Sequence, residues 1–257
     1  MYSSEQLEKI FARIGLAFDP SAKRDGKLLS DIQLAMVTHV PYENLDIVSG
    51  VPLSLDYGDL YEKIVVRHRG GYCFEINGFF GETLRSLGYD VTEYMARYLR
   101  GETEIPMRRH RVIRAVSCDK KAWICDAGIG QPAFRLPLLM EEGYISEQYG
   151  ETYKVVKEPF FGWVIYDLHH GEWRRFYGFT EEEQLNIDYV MPSFWCEHAP
   201  DSPFTKSPSL SIKTLTGRYT VDGGKFRVFD GDRVEERDIG EDERGEIYER
   251  YFGLCVT

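Results

Sequence analysis

No stretch of this chain approaches the roughly 18 consecutive apolar residues that a membrane-spanning helix needs. No block of lysine and arginine offers a surface to a nucleic acid. Cys-x-x-Cys pairs are absent, and the cysteines, at 73, 118, 125, 196 and 255, are odd in number. Neither a disulfide framework nor a zinc knuckle is indicated, and no metal is expected. Internal repeats of roughly 20–50 residues and low-complexity tracts are missing too. The opening Met1-Tyr2-Ser3-Ser4-Glu5 lacks the basic-then-apolar order of a signal peptide, so a reducing cytoplasm is the expected setting. Acidic residues outnumber basic ones, 42 to 31, and the net charge of −11 argues against nucleic acid and gives anionic ligands no general welcome. A phosphate-bearing substrate would need a local cationic patch or helix N-termini.

The 257 residues are 43% hydrophobic and 28% charged, the composition of a globular protein large enough to divide its core among subdomains. The first ninety or so residues have helical spacing. Leu7, Ile10, Phe11 and Ile14 form one stripe, with Ser3 and Gln6 placed as a capping box. A second helix is expected from Leu28 to His39, before Pro41, and a third near Asp59 to Val66. A fourth begins at Cys73, carries Ile76, Phe79, Phe80, Leu84 and Leu87 on one face, and closes at Gly88.

After Gly88 the pattern turns to strands: Val91–Leu99, Arg111–Ser117, Ala122–Cys125, Tyr153–Val156, Gly162–Leu168 and Trp173–Phe179. Pro192 to Pro208, rich in Pro and Ser, reads as a long connection. Arg218–Val221, Lys225–Phe229 and Arg233–Arg237, spaced by Asp-Gly-Gly and Asp-Gly turns, read as a meander, and Glu241 to Tyr251 as a closing helix. Helices followed by strands give an α+β order.

Arg69-Gly70-Gly71-Tyr72-Cys73 delivers a cysteine to the first turn of a helix. Free N–H groups and the partial positive charge there favour thiolate over thiol and could hold an oxyanion. A thiol nucleophile needs a base, and the base an orienting group. Of the six histidines, His110 has the best surroundings, because Asp126 ends the following strand. A three-residue loop at 118–120 would set Ser117 opposite Lys121, His110 opposite Gly128 and Val112 opposite Asp126. His110 and Asp126 are then diagonal neighbours on one face, about 7–8 Å apart at Cα. A loop one residue shorter or longer would send them to opposite faces.

Several segments, in order along nearly the whole chain, resemble the arylamine N-acetyltransferases. Arg69-Gly70-Gly71-Tyr72-Cys73-Phe74-Glu75-Ile76-Asn77 resembles their active-site signature, and Pro41-Tyr42-Glu43-Asn44-Leu45 their Pro-Phe-Glu-Asn-Leu segment. His110-Arg111-Val112 is similar to their histidine strand, and Asp126-Ala127-Gly128-Ile129-Gly130 to their Asp-x-Gly-Phe-Gly. Pro137-Leu138 and the stretch from Ser202 to Thr214 follow the family's pattern as well.

The resemblance implies a helical bundle over 1–88 carrying the nucleophile, a β-barrel over 89–195 carrying His and Asp, and an α/β lid over 196–257. Its core would be the Cys-His-Asp arrangement of cysteine proteases and transglutaminases. It implies a triad of Cys73, His110 and Asp126, acetyl-CoA as acyl donor, and a small amine, hydrazine or hydroxylamine as acceptor. Tyr42, Tyr98 and Ile129 would line the acceptor pocket, and Gly130, Lys206, Ser207 and Ser209 would contact coenzyme A. Ile129 and Tyr42 each stand where the family usually has phenylalanine. Arg69 is expected to pair with Glu43 and Asn44, and Glu75 and Asn77 to act as scaffold. The expected protein binds neither membrane nor nucleic acid and is a monomer or weak homo-oligomer. The competing readings are an amide synthase or cysteine hydrolase using the same triad, and a non-catalytic relative that binds small aromatic ligands.

Overall fold

A computed structural model describes residues 1–254, so Cys255 lies outside the described residues. The chain opens with α1 (Ser4–Arg13), whose first turn is closed by the expected capping box: Gln6 N–H donates to Ser3 Oγ at 3.2 Å and Ser3 N–H to Gln6 Oε1 at 2.9 Å. Helix α2 (Gly26–His39) starts ahead of Leu28 because the Asp25 carboxylate accepts the Leu28 N–H at 3.0 Å, making Asp25 the cap. Next come a short strand β1 (Tyr42–Glu43), a single turn α3 (Leu45–Val48), and α4 (Tyr57–Tyr61), which runs into a π-helical turn at Glu62–Val66. The continuous third helix is thus an α-to-π junction.

Helix α5 (Cys73–Leu87) spans the segment read from its apolar spacing, and Gly88 ends it in the left-handed conformation, φ 93°. Leu7, Ile10 and Phe11 of α1, Leu29, Ile32 and Met36 of α2, Leu60 of α4, and Ile76, Phe79, Phe80 and Leu84 of α5 form one buried cluster. Each such side chain contributes roughly 1.5–3 kcal/mol by leaving water, so α5 is held from three sides.

Eight antiparallel strands follow: β2 (Asp90–Tyr98), β3 (Arg108–Val116), β4 (Ala122–Cys125), β5 (Leu138–Leu139), β6 (Ile145–Gln148), β7 (Glu151–Glu158), β8 (Gly162–His169) and β9 (Glu172–Glu183). They lie in the order β5-β4-β3-β2-β9-β8-β7-β6 and form a nearly closed barrel. Val112, Ile124, Phe134, Val155, Ile165 and Phe176 are among its buried core. The β3–β4 turn has the odd length that the pairing of His110 and Asp126 requires. Ser117 N–H reaches Lys121 O at 3.0 Å, and the ladder pairs Val116 with Ala122 and Ile113 with Cys125. Lys120 takes φ 65° to close the turn.

The stretch expected as a connection from Pro192 to Pro208 is instead partly helical. A 3₁₀ turn at Asn186–Tyr189 leads into α6 (Val190–His198), and a second occupies Pro203–Thr205. Pro192 sits in the first turn of α6, where a backbone N–H has no intrahelical acceptor and its loss costs nothing. The helix is drawn in by Cys196 and Trp195, which pack with Tyr189 on Cys73 and Phe74.

The chain ends in β10 (Ser209–Lys213), β11 (Gly217–Asp222), β12 (Lys225–Asp230), β13 (Arg233–Asp238) and α7 (Arg244–Phe252). The three-strand meander gains β10 and, beside it, β1 from the N-terminal part, in the order β1-β10-β11-β12-β13. Tyr42 pairs with Ser211 and Glu43 with Leu210, which ties the last sheet to the segment leading to Cys73. Among the described residues no helix is long and apolar enough to cross a membrane.

Candidate active site

The diglycine places Cys73 by permitting a close approach of backbone to backbone. A side chain at Gly70 would put its Cβ 1.9 Å from Pro41 O. Gly71 O accepts the Glu43 N–H at 2.8 Å, and its N–H reaches Pro41 O at 3.4 Å. With the turn pinned to β1, Cys73 becomes the first residue of α5. Glu75 closes that first turn by accepting the Tyr72 N–H at 3.1 Å.

Glu75 belongs to a buried ionic cluster under the turn. Lys63 Nζ lies 2.7 Å from Glu75 and 2.6 Å from Asp46; Arg69 lies 2.9 Å from Asp46 and 2.8 Å from Glu43. The expected partner Asn44 is therefore corrected to Asp46, because Asn44 is engaged elsewhere. Its amide donates to Phe204 O at 2.8 Å and Ser207 O at 2.9 Å, and its oxygen accepts from Ser209 N–H at 2.7 Å. Burial pushes the Glu75 carboxyl up to about 7 despite the Lys63 ammonium beside it.

On β3, His110 is buried, and its Nε2 lies 2.6 Å from Asp126 Oδ2. Asp126, fully buried, also accepts from Asn77 Nδ2 at 2.8 Å and Gly128 N–H at 3.0 Å on its other oxygen. Asn77 additionally donates to Arg111 O at 2.6 Å and accepts the Ala127 N–H at 2.9 Å. Gln33 of α2 accepts the Asp126 N–H at 3.1 Å. A carboxylate held by three hydrogen bonds across both its oxygens is fixed in direction. Tyr177 lies edge-on to the imidazole, ring centres 5.3 Å apart, while its buried hydroxyl has no hydrogen-bond partner among the described residues.

Cys73 and His110 face the same cleft of 420 Å³, together with Tyr42, Tyr98, Ile129, Gly130, Ser207 and Ser209. All these residues were named from the sequence. Asp126 stands behind His110 rather than in the cleft. Lys206 is not brought to the lining: its ammonium turns back to Pro200 O. The Cys73 sulfur is largely shielded and lies 3.7 Å from Arg109 O. Burial pushes its thiol well up, with Cys196 and Asp126 adding and Arg109 opposing. A sulfur so buried needs an acceptor for its proton before it can attack. With Nε2 committed to Asp126, Nδ1 of His110 is the ring nitrogen left for that task. Burial, then Cys73, also keeps the Tyr42 phenol protonated.

Gln33, Arg109 and Arg227 are site residues that sequence reasoning missed. Gln33 sits 93 positions from Asp126, and its place in a helix gives no cue. Arg109 was adjacent to His110, and its charge in an acidic chain was a usable signal. Arg227 also lines the cleft, separated from Ser211 by Thr220 in the neighbouring strand; with the hydroxyls of Ser207, Ser209 and Thr220 it supplies donors suited to an elongated polar ligand. Among the described residues, no group of three or more His, Cys, Asp or Glu is arranged to hold a metal ion.

The model of the N-acetyltransferase family matches residues 27–257. The chain is 32% identical over 242 residues to an arylamine N-acetyltransferase of Escherichia coli, covering 91% of this chain and 83% of that protein. Its fold is similar to the solved structure of arylamine N-acetyltransferase from Salmonella typhimurium, with a TM-score of 0.93 at 27% identity, covering 100% of this chain and 93% of the other. It is similar as well to Mycobacterium marinum arylamine N-acetyltransferase solved in complex with CoA, at a TM-score of 0.89 and 25% identity, covering 97% and 93% of the two chains.

Proposed function

Because this chain belongs to the arylamine N-acetyltransferase family, we propose that its cleft moves an acetyl group from acetyl-CoA to the nitrogen of an arylamine, hydrazine or hydroxylamine, with Cys73 as the carrier. The observation that carries the assignment of roles is that Cys73 and His110 line one cleft, with Asp126 held 2.6 Å from the ring.

In the first half-reaction His110 Nδ1 takes the Cys73 proton, and the sulfur attacks the thioester carbonyl. The imidazolium is stabilised by Asp126 through Nε2–H. Backbone N–H groups at the start of α5 would supply donors to the developing oxyanion. The carbon–sulfur bond to coenzyme A breaks, its thiolate recovers the proton from His110, and acetyl-Cys73 remains. An amine then attacks the acetyl carbon, gives its proton to His110, and leaves as the amide, while the proton returns to Cys73 sulfur. Weakly basic amines suit this step because they are largely unprotonated near neutral pH.

The acyl donor's polar arm fits the end of the cleft bearing Ser207, Ser209, Thr220 and Arg227, and Gly130 leaves room beside Tyr42, since a Cβ there would stand 3.4 Å from the Tyr42 ring. Tyr42, Tyr98 and Ile129 meet the acceptor. Lys206 has no role in this assignment.

We read the organisation as a helical bundle over 1–88, a barrel over 89–195 and a C-terminal unit over 196–257; the apolar clusters support this division, the first of them also taking in Ile113, Ala115 and Cys125 from the strands. The boundary near 195 cuts through α6, whose apolar residues join the last two units to the Cys73 turn. Free Cys73, Cys118, Cys125 and Cys196 favour a reducing, cytoplasmic setting, and the acting unit on this reading is a monomer or weak homo-oligomer.

The test is steady-state turnover of an arylamine with acetyl-CoA. Parallel double-reciprocal lines and stoichiometric release of coenzyme A are expected. Acetyl-CoA-independent hydrolysis of amides or esters, without transfer, would assign the triad to a hydrolase instead.

A further inference from the structure

Two arginines line the catalytic cleft, and only one is committed to the protein. Arg227 Nε lies 2.5 Å from Glu236, and its NH1 lies 3.9 Å from Asp222. Arg109 has Glu102 as its sole ion-pair partner among the described residues, at 3.8 Å, on a side chain 37% exposed. An ion pair that long and that wet contributes little and yields easily to a better one. The Arg109 side chain is itself 22% exposed and lines the cleft with Tyr42, Tyr98 and Ile129, beside His110 and Gln131.

The position of Arg109 relative to the nucleophile decides what it can meet. Its carbonyl lies 3.7 Å from the Cys73 sulfur, and its charge acts on Cys73, Cys196, Tyr42 and Tyr98. No such influence of Arg227 on Cys73 is found. The phosphates of an acyl-CoA are separated from the thioester by the whole pantetheine arm. With the thioester at Cys73, they cannot also be beside Arg109. An acetyl group carries no charge. What remains next to Cys73, once coenzyme A has left, is the incoming amine.

We propose that Arg109 is a specificity-determining residue that binds a carboxylate carried by the acceptor, so that the cleft prefers aromatic amines bearing an acid group over their uncharged analogues. This deepens the function proposed above and rests on it. A planar guanidinium in a partly dry cleft can meet a carboxylate through two parallel hydrogen bonds. It supplies locally the positive charge that the chain as a whole, at −11, lacks. The flat ring of such an acceptor would lie against Tyr42 and Tyr98, with its amino group directed at acetyl-Cys73.

The experiment compares 4-aminobenzoate with its methyl ester, which keeps ring and amine but loses the charge. In a two-step transfer the acceptor's kcat/KM reports only the second half-reaction, so effects of the substitution on acetylation drop out. The ratio of acid to ester should exceed unity in the wild type. It should fall about tenfold or more in Arg109→Gln, the loss expected for one charge-assisted interaction, and recover in part in Arg109→Lys. Benzoate should also inhibit the wild type more tightly than benzamide, a comparison that needs no variant. Equal inhibition, or a ratio unchanged by Arg109→Gln, overturns the proposal. So does a preference that appears only when succinyl-CoA replaces acetyl-CoA, since the guanidinium would then serve the donor. Wild-type protein that acquires no acetyl group would instead defeat the transferase reading itself.

Discussion

Asn77 stands one helical turn beyond Cys73 and presses its amide against the Asp126 carboxylate at 2.8 Å. One helix thus presents the sulfur and steadies the acid that orients its base. The same Asn77 accepts the Ala127 N–H, so the loop after β4 is docked on α5 and cannot drift from it.

Replacing Asn77 by Ala should therefore act on chemistry as well as stability. Leaving buried groups of Asp126, Ala127 and Arg111 without their partner costs about 1–3 kcal/mol, read as a lower denaturation midpoint. Beyond that loss, kcat should fall and the alkylation of Cys73 should require higher pH, because the imidazole is no longer fixed. An altered midpoint with an unchanged alkylation profile would make Asn77 purely structural.

His110→Gln removes the proton acceptor but keeps the shape. Burial holds the Cys73 thiol up, so without His110 it should stay protonated through neutral pH. The rate of carboxamidomethylation by iodoacetamide should then rise only in alkaline solution, while the wild type reacts near neutrality. Coincident pH profiles would remove His110 from the role given to it.

Ile129 packs between the helical cluster and the barrel core and also lines the cleft. Ile129→Phe adds an aromatic face beside the acceptor and should shift selectivity towards flat arylamines over alkyl hydrazines. An unchanged substrate profile, measured with both classes, would take Ile129 out of the acceptor pocket.

Glu75 gives a pH signature to stability. Its carboxyl sits near 7 in the folded chain against 4.5 unfolded, so the native state holds an extra proton between those values. Folding stability from this group is therefore greatest below the lower value and declines as pH rises through the window. Glu75→Gln, which keeps the cap to Tyr72 but cannot ionise, should flatten that part of the unfolding free energy curve. A curve with unchanged slope between pH 4.5 and 7 would show that another group carries it.

Local rules made much of this legible in advance. Ser3 and Gln6 cap α1 as their spacing indicates, and Gly88 ends α5 because only a residue tolerant of φ 93° fits there. The loop of Cys118, Asp119 and Lys120 has the length that brings His110 and Asp126 to one face. Long-range pairing was not legible. The two residues of β1 are too short to show a period, and only their pairing with β10 makes them a strand. Pro192 suggested a connection, yet it occupies the one turn of a helix that tolerates proline. Arg69 chose Asp46 over Asn44 because Asn44 was already committed to Phe204, Ser207 and Ser209. Gln33 reaches Asp126 across a contact between α2 and the barrel that no local pattern encodes.

The most direct test of the central claim is intact mass spectrometry of the protein after brief exposure to acetyl-CoA without any acceptor. The wild type should gain the mass of one acetyl group, located by digestion on the peptide containing Cys73 and discharged when an arylamine is added. Cys73→Ala should gain none. An unmodified wild type, or an acetyl group carried on another residue and passed on to the amine, would contradict the account.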